Sequence, residues 1–188
     1  MIKHLSVLPA GLPVPIDDGL ADHLEGMLLP PLMLTSTSGA PVNLTSIKNK
    51  LLIYVYPLTG RPEIALPEGW DEIPGARGCT PQACDFSNHH LELMHLNASV
   101  FGLSSQATDY QLELKQRLHL PFDLISDNTF QLRKVLMLPV FKVGELLLYK
   151  RLTLIAENSV IKKVYYPVFP PNENASQVVD WLKNHQLT

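Results

Sequence analysis

The chain has 188 residues, 46% of them apolar and 18% charged, and 15 Lys and Arg against 18 Asp and Glu leave a formal net charge of −3. That is the size of one domain, too apolar for a disordered chain and without the basic surplus of a nucleic-acid-binding protein. No apolar stretch approaches the roughly 20 residues of a membrane span, and three prolines break LSVLPAGLPVPI after Lys3-His4, so a soluble, cytoplasmic protein without membrane or nucleic-acid partners is expected.

Residues 1–28 read as an N-terminal extension lying on the surface, with Pro9, Pro13 and Pro15, an acidic patch (Asp17, Asp18, Asp22, Glu25) and one short helical turn from Ala21 to Leu28. A single domain over 29–188 follows. Leu32–Leu34 and Val42–Leu44 predict short strands around a Ser38-Gly39 turn. Leu51–Tyr56 is a near-continuous apolar and aromatic run, which fits a central strand buried on both faces. Pro57 to Gly78 then carries four prolines and four glycines and ends on the two cysteines, Cys79 and Cys84. Structureless loops longer than about 15 residues tend to be functional.

Thr80 as N-cap and Pro81 at the first helical position predict a helix, with Ala83, Phe86, Leu91 and Met94 along its stripe. Val100–Leu103 reads as a second buried strand, and Ala107, Tyr110, Leu114 and Leu118 as the next helix. Phe122–Ile125 is a third strand, closed by the helix-start signal Ser126-Asp127-Asn128. Leu132–Leu138 is helical up to Pro139. Gly144-Glu145 and Asn158-Ser159 predict two hairpins, Phe141–Val143 with Leu146–Tyr149 and Leu152–Ala156 with Ile161–Tyr166. Ala175, Val178, Val179 and Leu182 mark a closing amphipathic helix. This order predicts an α/β fold, with a mixed central sheet flanked by helices, of the thioredoxin-like kind.

Two cysteines five apart are too few for a disulfide scaffold or a zinc site. In a reducing compartment such a pair is either inert or redox-catalytic. A free thiol ionises near 8.5, leaving about 3% thiolate at pH 7, and a reactive one needs a value nearer 6, about 3.4 kcal/mol of differential stabilisation. A helix N-terminus supplies about 0.3–1 kcal/mol, or about 2 when partly buried. One guanidinium at about 4 Å, at an effective dielectric near 20, supplies roughly 4 kcal/mol. Such a thiol therefore needs a cation. Arg77, two residues before Cys79, is one candidate, though a solvated loop charge is the simpler reading of it. His89, His90 and His95 lack the spacing of a helical metal pair. Trp70 and Trp181 read as packing anchors, and the basic surplus of 130–163 as a solvated face.

GCTPQACDF resembles the GCT-x-x-AC segment of peroxiredoxins of the Q type, also called bacterioferritin-comigratory-protein-like. The likeness continues through LLIYVYP, VFGLSSQ, LPFDLISD and KRLTLIAENSVIKKVYYPV, over roughly residues 30–185. By that resemblance Cys79 is the peroxidatic cysteine, Cys84 the resolving one, and Arg151 the distant arginine that faces the thiolate. The implied reaction is attack of Cys79 on a peroxide, giving a sulfenic acid that Cys84 converts to an intrachain disulfide. A thioredoxin-like dithiol reductant then restores both thiols. No cofactor or metal is implied, and the chain would be a monomer or homodimer. Five residues along a helix separate two Cα atoms by about 8.6 Å, beyond the roughly 7 Å a disulfide tolerates, so the first turn must unwind for the pair to close. The sequence departs from the family's Pro-x-x-x-Thr-x-x-Cys, with Glu72 and Ala76 in place of Pro and Thr, and Thr59 is the candidate for the missing hydroxyl. Two other readings stay open, a thiol–disulfide oxidoreductase, poorly matched to C-x-x-C spacing, and a non-catalytic redox-sensing protein.

Overall fold

The structure is a computed structural model that describes residues 7–185. In chain order it contains β1 (Met33–Ser36), β2 (Pro41–Asn43), β3 (Lys50–Val55), α1 (Cys79–Asn88), α2 (His90–His95), β4 (Ala98–Ser104), α3 (Thr108–Leu118), β5 (Leu124–Ser126), α4 (Gln131–Leu136), β6 (Val140–Val143), β7 (Leu146–Tyr149), β8 (Leu152–Glu157), β9 (Val160–Tyr165) and α5 (Asn174–Asn184). The LLIYVY run forms the centre of a seven-stranded mixed sheet ordered β2-β1-β5-β4-β3-β8-β9. β3, β4 and β5 are parallel neighbours, and the remaining pairs are antiparallel. Alternate residues of β3 feed two separate cores. Leu51, Ile53 and Val55 face a layer with Leu132 and Leu136 of α4. Leu52 and Tyr54, with Tyr56 just beyond the strand, face the layer of α1, α2, α3 and α5. Burial on both faces is what the unbroken apolar run requires.

Both hairpins form at the expected turns. Asn158 and Ser159 take positive φ (51° and 63°) between β8 and β9, the backbone a two-residue hairpin loop demands. The β6–β7 hairpin forms its own two-stranded sheet instead of joining the main one. Asp127 explains the start of α4, since its carboxylate accepts the N–H groups of Gln131, Leu132 and Arg133 and the hydroxyl of Tyr149.

Four expectations need correction. The cysteine helix begins at Cys79, not Pro81. Gly78 is its N-cap, with φ 108°, and Pro81 occupies the third position, where a missing N–H is equally harmless. The continuous helix expected through Met94 breaks at His89 into α1 and α2. The 57–78 stretch is not structureless. Trp70 opens a short 3-10 turn (Trp70–Glu72) and is buried with Ala76 and Leu148, packed by Leu66, Ile73 and Phe141, as a third small core. Trp181, by contrast, is only partly buried and stacks on His185. Finally, Ala21 to Leu28 forms successive turns, and part of it is internal: Ala21 and Leu24 lie in the core beside Leu29. Gly26 N donates to the Ile161 carbonyl and the Glu25 carboxylate accepts from Val164 N, which docks this segment on β9. Among the described residues no helix is long and apolar enough to cross a membrane.

Candidate active site

Antiparallel pairing of Val55 with Leu152 places Arg151 at the C-terminal edge of β3, beside the start of α1. Functional sites of open α/β sheets gather at such edges. Arg151 is only 3% exposed and Cys79 only 4%, and Nη2 of the arginine donates to Sγ of the cysteine at 3.2 Å across 72 positions of sequence. A buried guanidinium is tolerated only when its donors are met. Here the backbone meets them. Nε donates to the Gly75 carbonyl at 3.3 Å, and Nη2 also reaches the carbonyls of Ala76 (3.0 Å) and Arg77 (3.2 Å). Three successive carbonyls of the 73–78 segment thus turn inward around one cation.

Local backbone demands explain that turn. Gly75 and Gly78 both adopt positive φ. A Cβ at Gly78 would lie 2.4 Å from Cγ of Pro171 and 2.9 Å from Cδ2 of Leu8, so only glycine fits before the cysteine. The helix start then aims free backbone N–H groups at the Cys79 region, and these favour an anion.

Nη1 of Arg151 donates to Oε1 of Gln82, one turn beyond Cys79. Nε2 of Gln82 donates to Oδ1 of Asn174 at 3.0 Å, and the Thr153 hydroxyl donates to the same oxygen at 2.6 Å. Gln82, Asn174 and Thr153 are fully buried, so the guanidinium is held by a chain from α1 through α5 to β8. Sequence reasoning missed Gln82. Its position three residues after Cys79, on the same helical face, was the available signal.

Arg77, the rival cation, pairs with Asp71 at 3.2 Å and turns its carbonyl to Arg151. Arg151 is the cation at the sulfur. Thr59 is buried and shares with Cys79 a narrow cleft that Gly60, Leu66, Trp70 and Thr80 also line. Its hydroxyl donates to Oε1 of Gln106 at 3.0 Å, its N–H reaches the same oxygen, and Gln106 Nε2 returns a bond to the Thr59 carbonyl. Thr59 is therefore near the sulfur, with its proton directed at Gln106. Ala76 has no hydroxyl to offer, and its methyl packs in the small core with Trp70. The cleft has a volume of only about 10 Å³, room for about one water. A larger cavity of about 400 Å³ lies on another side of Arg151, between Val14–Asp18, the 73–75 segment and Tyr166–Val168, and Cys79 is not in its wall.

Cys84 lies half-buried five residues along an unbroken α1, and both cysteines are free thiols. Burial pushes the Cys84 thiol up. The Arg117 guanidinium pulls it back, and Asp85 pushes it further up. The Asp85 carboxyl is itself raised by burial, against the N–H of Ala175 that it accepts.

Comparison with known proteins places the chain in a family and supports its fold. The curated protein named chloroplastic peroxiredoxin Q from Sedum lineare is 28% identical over 161 residues, covering 85% of this chain and 78% of that one. The protein of the same name from Suaeda salsa is also 28% identical, over 85% and 68% of the two chains. Peroxidoxin BcpB from Mycobacterium tuberculosis superposes with a TM-score of 0.70 at 19% identity, over 85% of this chain and 96% of that one. Peroxiredoxin Q from Xanthomonas campestris gives 0.68 at 19% identity, over 93% and 98%. These superpositions carry the thioredoxin-like fold. The profile of the redoxin family runs from residue 24 to residue 181, through the cysteine helix and the arginine strand alike, and the chain accordingly belongs to that family as a thiol-dependent peroxidase of the peroxiredoxin Q type.

Proposed function

We propose that Cys79 is the nucleophile of this peroxidase, Arg151 its activating cation and Cys84 the resolving thiol, with a thioredoxin-like dithiol protein as reductant. The observation that carries this reading is the 3.2 Å bond from a buried guanidinium to the Cys79 sulfur. The thiolate attacks one peroxide oxygen, a sulfur–oxygen bond forms, and the oxygen–oxygen bond breaks. The departing alkoxide or hydroxide takes a proton and leaves as alcohol or water. The Nη2 group of Arg151, already donating to the sulfur, meets the charge that develops on the oxygens. Cys84 then attacks the sulfenic acid and closes the disulfide once the start of α1 has unwound.

A one-water cleft at the sulfur favours hydrogen peroxide over bulky hydroperoxides, which must displace the Leu66 and Trp70 wall. Leu66→Ala is expected to raise the kcat/KM for tert-butyl hydroperoxide relative to hydrogen peroxide several-fold, and an unchanged ratio contradicts this route of entry. For the roles themselves, Cys79→Ser is expected to abolish peroxide consumption. Cys84→Ser is expected to leave a sulfenic acid on Cys79 that a carbon-acid trap captures for mass spectrometry. No adduct on Cys79 in that variant after one equivalent of peroxide would sink the assignment.

A further inference from the structure

Resolution asks more of Cys84 than proximity, because only a thiolate attacks the sulfenic sulfur. Most of its surroundings oppose ionisation. Burial and the Asp85 carboxylate of α1 push the thiol up, and the phenol of Tyr54 on β3, whose charge would add to theirs, is buried and un-ionised. One cation acts in the other direction, Arg117 on α3. Its side chain is 10% exposed. Nε donates to Glu113 at 2.6 Å and Nη2 to the Gly60 carbonyl at 3.1 Å. Nη1 is buried and has no hydrogen-bond partner among the described residues. Folded proteins seldom keep such an open, charged donor, since an unmet buried N–H is destabilising.

Gly60 fixes where this donor sits. The residue whose carbonyl holds Arg117 also lines the cleft onto which Cys79 opens. The guanidinium is thus anchored at the wall of the nucleophile's cleft, and its positive charge favours the Cys84 thiolate.

We propose that Arg117 drives the resolving step by offering its open Nη1 donor to the Cys84 thiolate as that sulfur attacks the Cys79 sulfenic acid. This rests on the peroxidase reading above. The Cys84 thiol loses its proton, and its electron pair forms the sulfur–sulfur bond. The sulfur–oxygen bond of the sulfenic acid breaks, and hydroxide leaves with that proton as water. No outside oxidant is needed. When a dithiol reductant later attacks the Cys79 sulfur of the disulfide, Cys84 departs as a thiolate onto the same guanidinium.

The test is rapid mixing of the reduced, full-length chain with one equivalent of hydrogen peroxide, followed by tryptophan fluorescence, since Trp70 lines the Cys79 cleft. Quenched samples give the sulfenic acid and disulfide by mass spectrometry. Arg117→Met is expected to leave sulfenic acid formation within twofold of the unaltered protein. It is expected to slow disulfide formation at least tenfold at pH 7, with the rate recovering only as the pH rises above the ordinary thiol range, because burial and Asp85 still hold the thiol up. Arg117→Lys is expected to keep most of the rate. Glu113→Gln removes the carboxylate that shares Arg117, at a partly exposed site, and is expected to move the pH midpoint of disulfide formation in the acid direction. A resolving rate within twofold in Arg117→Met, slowing by the same factor at every pH, or no acid shift in Glu113→Gln overturns the proposal. Absence of sulfenic acid formation in the unaltered protein would instead overturn the peroxidase reading.

Discussion

Arg151 reaches Cys79 with every other neighbour of its guanidinium already a hydrogen-bond acceptor, and this makes the residue hard to replace. Arg151→Met removes a charge worth roughly 4 kcal/mol to an anion at about 4 Å and dielectric 20, and it strands the inward carbonyls of Gly75, Ala76 and Arg77. The alkylation rate of Cys79 at pH 7 is expected to fall about a hundredfold. Gln82→Met keeps the cation and loses only its tether, so a smaller loss of about tenfold is expected. Equal losses in the two variants, by iodoacetamide kinetics with mass-spectrometric readout, would show that Gln82 does more than position the arginine. At this scale the sequence was informative about identities and silent about partners. Cys79, Cys84 and Arg151 were legible through the motif and the strand pair that resemble a known family. Gln106 holding Thr59 across 47 positions, or Asn174 holding Gln82 across 92, leaves no local pattern to read. Thr59 was the candidate for the missing hydroxyl; it shares a cleft with Cys79, and the direction of its hydroxyl depends on Gln106.

Strand periodicity was readable because each strand carries its own burial pattern, and β3 declares two buried faces within six residues. The start of α1 was misread for an instructive reason. Capping preferences at Thr80 and Pro81 are local, whereas the helix starts after Gly78, where the left-handed φ and the nearby Pro171 and Leu8 leave room for glycine alone. Gly78→Ala combines a left-handed φ of 108° with a Cβ 2.4 Å from Pro171, and is expected to destabilise the chain by about 1–3 kcal/mol. A shift in the urea midpoint at unchanged slope would report it. The same crowded helix start must open for the disulfide to form. In the oxidised protein the amides of Gln82 and Ala83 are expected to lose hydrogen-exchange protection, while those of Phe86 and Ser87 keep theirs. Full protection beginning at Gln82 in a disulfide-bonded sample would contradict the unwinding step.

At the scale of the whole molecule, the N-terminal arm is the part least legible from sequence, because its prolines suggest a surface lead-in while Ala21 and Leu24 enter the core. The arm crosses the active-site loop. Leu8 meets Gly78, Pro15 meets Gly75, and Asp18 ties the end of this crossing to Lys150, the neighbour of Arg151, and to the Tyr166 hydroxyl. Burial raises the Asp18 carboxyl, but the bonds from Lys150 and Tyr166 outweigh it and hold the group at about 2 instead of 3.8. A carboxyl depressed in the folded state stabilises above its unfolded value and loses that contribution as the pH falls through its folded value. The tie is therefore complete above about pH 4 and is lost towards pH 2. Because the pair is about a third exposed, its worth is at most about 1 kcal/mol, too little to unfold the domain and enough to loosen one strap. Asp18→Asn is expected to imitate acid at pH 7 by raising protease sensitivity at residues 10–20 without changing the urea midpoint by more than that amount. Since the strap lies beside the two glycines that shape the Cys79 turn, the same variant is expected to speed disulfide closure after peroxide modestly, about twofold to fivefold. Closure at an unchanged rate, in an arm shown by proteolysis to be loose, would mean that the crossing segment restrains nothing at the cysteine helix.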